Sequence, residues 1–98
     1  MFLGSLSLDL LLGDVHSLKQ KRSVVRPIVA ELRRRFDVSA AETGHLDLHR
    51  RAELGVAVAS PDAAHAREVL DACERLVASR PEVDLLAARA QVWNDEDA

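Results

Sequence analysis

Residues 2–22 read FLGSLSLDLLLGDVHSLKQKR and hold the two patterns that decide the fold. In the first half, leucines alternate with small polar residues, a period of two that is typical of a strand with one buried face. The residues of the buried face are Phe2, Leu6, Leu8, Leu10 and Leu12, and those of the other face are Ser5, Ser7 and Asp9. The sequence therefore predicts a half-buried strand that ends at Gly13 and Asp14.

The second half of this stretch predicts the start of a helix at Ser17. Ser-Leu-Lys-Gln is a capping box, in which the Ser17 hydroxyl accepts a hydrogen bond from the Gln20 amide and the Gln20 side chain reaches back. Apolar residues continue at helical spacing, which predicts a helix with a buried stripe made of Leu18, Val25, Val29, Leu32 and Phe36. Pro27 lies inside this helix, where we expect it to cause a kink without ending the helix.

The remaining patterns predict two more strands, a second helix and a last strand. The strands cover residues 37–43, a segment that ends at Ser60, and residues 83–93. Ser60-Pro61-Asp62 predicts a helix start with a serine cap, proline at the first helical position and an acid in the first turn. With right-handed crossovers, the order predicts an α+β, ferredoxin-like βαββαβ fold, a four-stranded antiparallel sheet with two helices on one face.

Length and composition indicate one small folded domain. The chain has 98 residues, of which 48% are hydrophobic and 30% are charged. We expect a single domain over residues 1–93 and a frayed acidic tail, NDEDA, at 94–98. The sequence holds one cysteine, Cys73, so no disulfide can form within the chain. Its place on the apolar stripe of the second helix predicts a core residue. The apolar segment at the start is too short to span a bilayer and lacks the basic part of a signal peptide, so we expect a cytoplasmic protein.

The last predicted strand is apolar on both faces. Four of its residues share the face that has no helix to cover it: Leu86, Ala88, Ala90 and Val92. A strand with one solvent-exposed face would show a clearer alternation of apolar and polar residues. The pattern predicts self-association, as a homodimer, through the open face of the sheet.

Positive charge is concentrated in the first half of the chain. Residues 1–51 hold nine basic and six acidic residues, whereas residues 52–98 hold four and ten. Nucleic-acid-binding proteins carry a basic face, and only the first half supplies one. Aromatic residues make up 3% of the chain and tyrosine is absent, which excludes the usual base-stacking platform of single-strand binders.

The run from His16 to Arg22 is the strongest candidate for a phosphate-binding site. Lys19 and Lys21 lie in the first turn of the predicted helix, where each cation costs ~0.3–1 kcal/mol. Free amides and cations together favour a bound anion. The candidate residues are His16, Lys19, Lys21, Arg22, Arg50 and Arg51. Replacing both lysines by glutamate is expected to stabilise the helix, unless the fold gives these lysines acidic partners.

A metal site is the weakest of the functional predictions. The HLDLH loop holds His45, Asp47 and His49, and His16 is a fourth possible zinc ligand elsewhere in the chain. No four ligands have the usual spacing, so we predict no metal and no cofactor. A glycine-rich phosphate loop, a serine elbow and a Cys-His pair are all absent from the sequence. The preferred hypothesis is a non-enzymatic RNA-binding module; the alternatives are a homo-oligomeric interaction protein and a metal-dependent enzyme.

The sequence resembles the YlxP-like family of small bacterial proteins, a domain of unknown function, over nearly its whole length. The resemblance rests on HSLKQKR at 16–22, RFDVSAAE at 35–42, Asp47 with Arg51, and LGVA at 54–57. It implies a ferredoxin-like fold, a cytosolic setting and, because the family's genes often lie beside translation-initiation and ribosome-maturation genes, contact with RNA or the ribosome. It supplies no catalytic residues. Leu46 and His49 depart from the family pattern, which usually has glutamine and tryptophan there.

Overall fold

The computed structural model describes residues 1–97 and confirms the ferredoxin-like α+β fold. Its elements are β1 (Phe2–Leu12), α1 (Leu18–Phe36), β2 (Ser39–Gly44), β3 (Arg51–Ser60), α2 (Ala63–Ala78), β4 (Val83–Asn94) and a short 3₁₀ turn (Asp95–Asp97). The four strands form one antiparallel sheet in the order β2-β3-β1-β4. In the described part of the chain, no helix is long and apolar enough to cross a membrane.

The core lies between the two helices and one face of the sheet. Alternation along β1 buries Leu6, Leu8, Leu10 and Leu12 almost completely, as the period of two predicts. Ile28 and Leu32 of α1 and Leu70 of α2 pack on them from above. Cys73 is also fully buried, and this burial raises the pKa of its thiol to about 11. The cysteine is therefore a core residue, as predicted, and is a thiol at neutral pH.

Helix α1 begins as the capping box predicts. The Ser17 hydroxyl accepts a hydrogen bond from the Gln20 amide at 3.1 Å. The Gln20 side chain reaches back to the His16 amide, at 2.6 Å. The helix then continues through Pro27 to Phe36, so the proline does not end it.

Two predicted boundaries are wrong by two residues. Strand β2 begins at Ser39, because Asp37 adopts a left-handed conformation (φ 52°) that ends α1 and turns the chain. The N-cap of α2 is Asp62, whose carboxylate accepts hydrogen bonds from the amides of Ala64 and His65. Ser60 instead ends β3 and its hydroxyl accepts from the Asp62 amide. An aspartate at the N-cap combines a hydrogen-bond acceptor with a favourable charge, which favours Asp62 over Ser60 as the N-cap.

Strand β4 contains a bulge that overturns the predicted assignment of its faces. Asp9 pairs with Ala87 while Leu10 pairs with Leu85, so Leu86 is an extra residue without a partner on β1. Beyond the bulge, Ala88 and Ala90 lie opposite Leu8 and Leu6, on the side of the sheet that carries the helices. Val92 follows them, opposite Gly4. The open face of β4 instead carries Arg89, Gln91 and Trp93, opposite Ser7, Ser5 and Leu3.

The acidic end of the chain is tied to its beginning. The Asp95 amide donates to the Met1 carbonyl at 3.0 Å, and the Asp95 carboxylate lies 2.8 Å from the terminal amine. This amine holds the pKa of the Asp95 carboxyl below its usual value. Of the predicted frayed tail, Asn94 therefore belongs to β4 and Asp95 is held against Met1, whereas residue 98 lies outside the described residues.

Candidate functional site

Lys21 is a buried cation and not a surface one. Its side chain is 3% exposed, and its ammonium group lies 2.7 Å from the carboxylate of Glu42 on β2. It also donates to the backbone carbonyl of His45 at 2.7 Å. Lys21 therefore joins α1 to the edge strand and to the loop that follows it.

This burial corrects the prediction that Lys21 contacts a phosphate. An ammonium group enclosed by a carboxylate and a carbonyl has no surface to offer to an anion. Lys21 also has an acidic partner, which is the exception to the gain in stability expected from replacing Lys19 and Lys21 together. At position 21, glutamate would leave two carboxylates facing each other in a buried place.

Three other cations in the first half of α1 remain on the surface. Lys19, Arg22 and Arg26 are exposed and lie at intervals of three and four residues along one side of the helix. None of them forms an ion pair with any residue in 1–97. They border a shallow hollow of about 480 Å³ on the helix surface. We call these three residues the α1 basic surface.

A larger groove lies between α1 and strand β2. Its volume is about 620 Å³, and Arg22 and Arg26 line it as well as the shallow hollow. The other side chains that line it include Leu18, Val25, Val29, Ala30, Arg33, Glu42 and Leu46. The groove is therefore apolar along its sides, with arginines and a carboxylate at its borders. We call it the α1–β2 groove.

His16 and Arg50 lie at the connection between β1 and α1. The imidazole of His16 is 74% exposed and lies 2.5 Å from the Asp14 carboxylate. The Arg50 side chain donates to the carbonyls of Leu12 and Gly13, at 3.2 and 2.8 Å. Arg50 is thereby held against the end of β1 and the turn that precedes the first helix.

Arg51 is held on the open face of the sheet. Its guanidinium donates to the Asp9 carboxylate at 2.6 Å, and this hydrogen bond lowers the pKa of the Asp9 carboxyl. His45 lies 3.6 Å from the other Asp9 oxygen. Arg51 therefore points away from the α1 basic surface, and the structure does not bring the six predicted residues into one site.

The histidines and acids of the loop do not assemble into a metal centre. Among residues 1–97, no group of three or more His, Cys, Asp or Glu side chains is placed to hold an ion. His16 pairs with Asp14, and His45 lies beside Asp9. Asp47 and His49 are exposed on the loop.

Comparison with known proteins establishes the family. Residues 3–90 match the family model described as a protein of unknown function, DUF503. The chain belongs to the DUF503 family. It is also 27% identical over 89 residues to the uncharacterized protein YlxP of Bacillus subtilis (strain 168), an alignment that covers 91% of this chain and 97% of that protein. The match confirms the YlxP-like resemblance. It does not assign an activity, since both descriptions leave the function open.

Proposed function

We propose that this protein is a cytosolic, non-enzymatic module that binds structured RNA, alone or on the ribosome, through the α1 basic surface. The observation that carries the proposal is that Lys19, Arg22 and Arg26 are exposed and form no ion pair with any of the described residues. Phosphates at this surface would be contacted by cations that the fold does not use. Such contacts position a protein on RNA without reading its sequence.

The location of these cations supports the proposal. Near the start of a helix, a cation is unfavourable by ~0.3–1 kcal/mol, and Lys19 is the second residue of α1. No acidic residue lies in the first turn to offset it. A phosphate bound there would be attracted by the helix dipole as well as by the side chains. His16 and Arg50 flank this end of the helix and are secondary candidates.

The test is a salt-series titration with a charge-matched control. The variant Arg22→Glu/Arg26→Glu reverses two charges on α1, and Arg67→Glu/Arg75→Glu reverses two exposed arginines on α2. The probes are a short blunt-ended RNA duplex and purified ribosomal subunits. The α1 variant should bind at least about tenfold more weakly than the parent, and the α2 variant nearly as well as the parent. Equal losses in both variants, or a parent that binds neither probe at low salt, would contradict the proposal.

Self-association through the open face of the sheet is a second candidate function. The reason given by the sequence is wrong, because the bulge moves Ala88 and Ala90 to the helix side. A different observation favours it: Trp93 is 41% exposed and, with Leu3 and Ala59, lines an apolar hollow of about 280 Å³ on the open face. Light scattering at micromolar concentration should then give a dimer mass that becomes monomeric in Trp93→Ser. A monomeric parent would overturn this candidate.

A further inference from the structure

We propose that the α1–β2 groove takes one unpaired nucleotide of the bound RNA, with its base between α1 and the loop after β2. This inference deepens the proposed function and rests on it. It names the structural feature of RNA that the protein would prefer.

The sides of the groove suit a flat apolar group. Val25 and Val29 of α1 form one side, and Leu46 of the loop forms another. The Leu46 side chain is 59% exposed and borders this groove of about 620 Å³. A ligand that covers Leu46 would remove this apolar surface from water. The volume lies within the range of small-molecule sites and accommodates one nucleotide.

The loop that carries Leu46 is held in place from below. Lys21 donates to the His45 carbonyl at 2.7 Å, and the Leu48 amide donates to the same residue's carbonyl at 3.0 Å, closing a turn. His45 adopts a left-handed conformation, with φ 56°. The groove is therefore formed before any ligand arrives, which reduces the entropy cost of binding.

The groove carries polar groups of opposite charge, which favour a ligand with a different polar group at each of its two ends. Arg22, Arg26 and Arg33 supply positive charge at the border. Glu42 supplies a carboxylate, which is fixed by Lys21 and whose side chain remains 23% exposed. A carboxylate only accepts hydrogen bonds, so a ligand that suits the groove presents an N–H or O–H donor to it and a negative group to the arginines. A base with an amino group, joined to phosphates, has both, and guanidinium planes also stack on bases.

An extended peptide added to the edge of the sheet fits less well. The Arg33 side chain donates to the Ala40 carbonyl at 2.9 Å, so one backbone acceptor of β2 is already occupied. A blocked edge is a poor template for another strand. Pairing of β2 with a second copy would also bring Arg22 and Arg26 of two chains together, and like charges would repel.

The test compares three RNA duplexes that differ at one position: fully paired, with a bulged adenosine, and with a bulged abasic nucleotide. The proteins are the parent, Leu46→Ser and Leu48→Ser. Both leucines are exposed residues of the same loop, but only Leu46 lines the groove. Neither change removes core packing, so all three proteins are expected to fold, and this is checked by thermal melting. An acidic peptide of alternating glutamate and leucine is added as a competitor.

The parent should bind the adenosine bulge about tenfold more tightly than the abasic bulge or the paired duplex, because only the base covers the apolar sides of the groove and stacks on an arginine. Leu46→Ser should lose this preference and keep its affinity for the paired duplex, while Leu48→Ser should match the parent. Equal binding of the three duplexes by the parent would overturn this inference and leave the proposed RNA binding intact. No binding to any duplex would overturn both. Displacement of the RNA by the peptide from the parent but not from Leu46→Ser would show instead that the groove is a peptide site.

Discussion

The two helices lie on the same face of the sheet and differ in how their surface charges are balanced. On α2, Arg67 and Arg75 each lie four residues from Asp71, at the spacing of favourable helical pairs, and Asp62 caps the start of the helix. On α1, a neutral serine is the cap and exposed cations follow it. The charges of α2 are those expected for helix stability. Those in the first half of α1 are not, and this difference is the reason for assigning Lys19, Arg22 and Arg26 to binding.

The largest effect is expected at Lys21, the one cation of the first turns of α1 that serves the fold. Lys21→Glu should lower the free energy of unfolding by about 3 kcal/mol, because it leaves Glu42 opposed by a second carboxylate in a largely buried place. Urea denaturation measures this loss. The double variant Lys21→Met/Glu42→Met should recover most of it, since replacing both partners removes the uncompensated charge. A single variant as stable as the parent would show that the pair does not hold α1 to β2.

The two N-caps should differ in strength. Asp62→Ala removes an acceptor of two amides and a favourable charge, and should cost about 1–2 kcal/mol. Ser17→Ala removes one hydrogen bond of a neutral cap and should cost about 0.5–1 kcal/mol. Thermal unfolding of the two variants under the same conditions gives the order. A greater loss from Ser17→Ala would mean that the start of α1 is the more strongly stabilised of the two, against the comparison drawn above.

A smaller effect with opposite signs is expected at the second position of each helix. Lys19→Glu on α1 should raise stability by about 0.5–1 kcal/mol, since it replaces an unfavourable charge with a favourable one. Ala64→Lys on α2 should lower it by about 0.3–1 kcal/mol. Both effects should shrink at high salt, where exposed charges are screened. Loss of stability in Lys19→Glu would give this lysine a structural role and remove it from the proposed site.

The smallest effect concerns Arg51, which has an acidic partner, whereas the arginines of the α1 basic surface have none within residues 1–97. The hydrogen bond from Arg51 lowers the pKa of the Asp9 carboxyl, so the pair stabilises the fold above the ordinary carboxyl pKa of about 4. This contribution is lost as the pH falls through the lowered value. In Arg51→Gln, a carboxyl-carbon NMR titration should give a higher pKa for Asp9. The same pKa in both proteins would mean that the ion pair is not formed in solution.

Much of the fold can be predicted from local patterns, because they are strong where the core is regular. Alternation along β1 and the Ser17 capping box each specify an element without reference to the rest of the chain. The bulge at Leu86 has no such signal. One extra residue exchanges the faces of every residue after it, and nothing in an apolar run marks where it lies.

The candidate site is only partly predictable, since its main contacts join distant residues. The burial of Lys21 does have a signal. Leu18 and Val25 of the buried stripe are seven positions apart, and position 21 lies between them at helical spacing. Its partner Glu42 lies on a different element, so the pairing and the groove above it follow only from the arrangement of α1 beside β2. Arg26 and Arg33 were not among the predicted residues, because charge alone does not show which cations share a groove.

The most direct test of the assignment of the α1 basic surface is the salt dependence of RNA binding after neutralisation of its three residues. The variant Lys19→Gln/Arg22→Gln/Arg26→Gln and the parent are titrated with the same RNA duplex at several salt concentrations. If the three cations contact phosphates, the slope of log K against log salt should fall in magnitude by about 2–3, while the free energy of unfolding stays within about 0.5 kcal/mol of the parent. An unchanged slope, with or without weaker binding, would contradict the assignment of these cations to RNA.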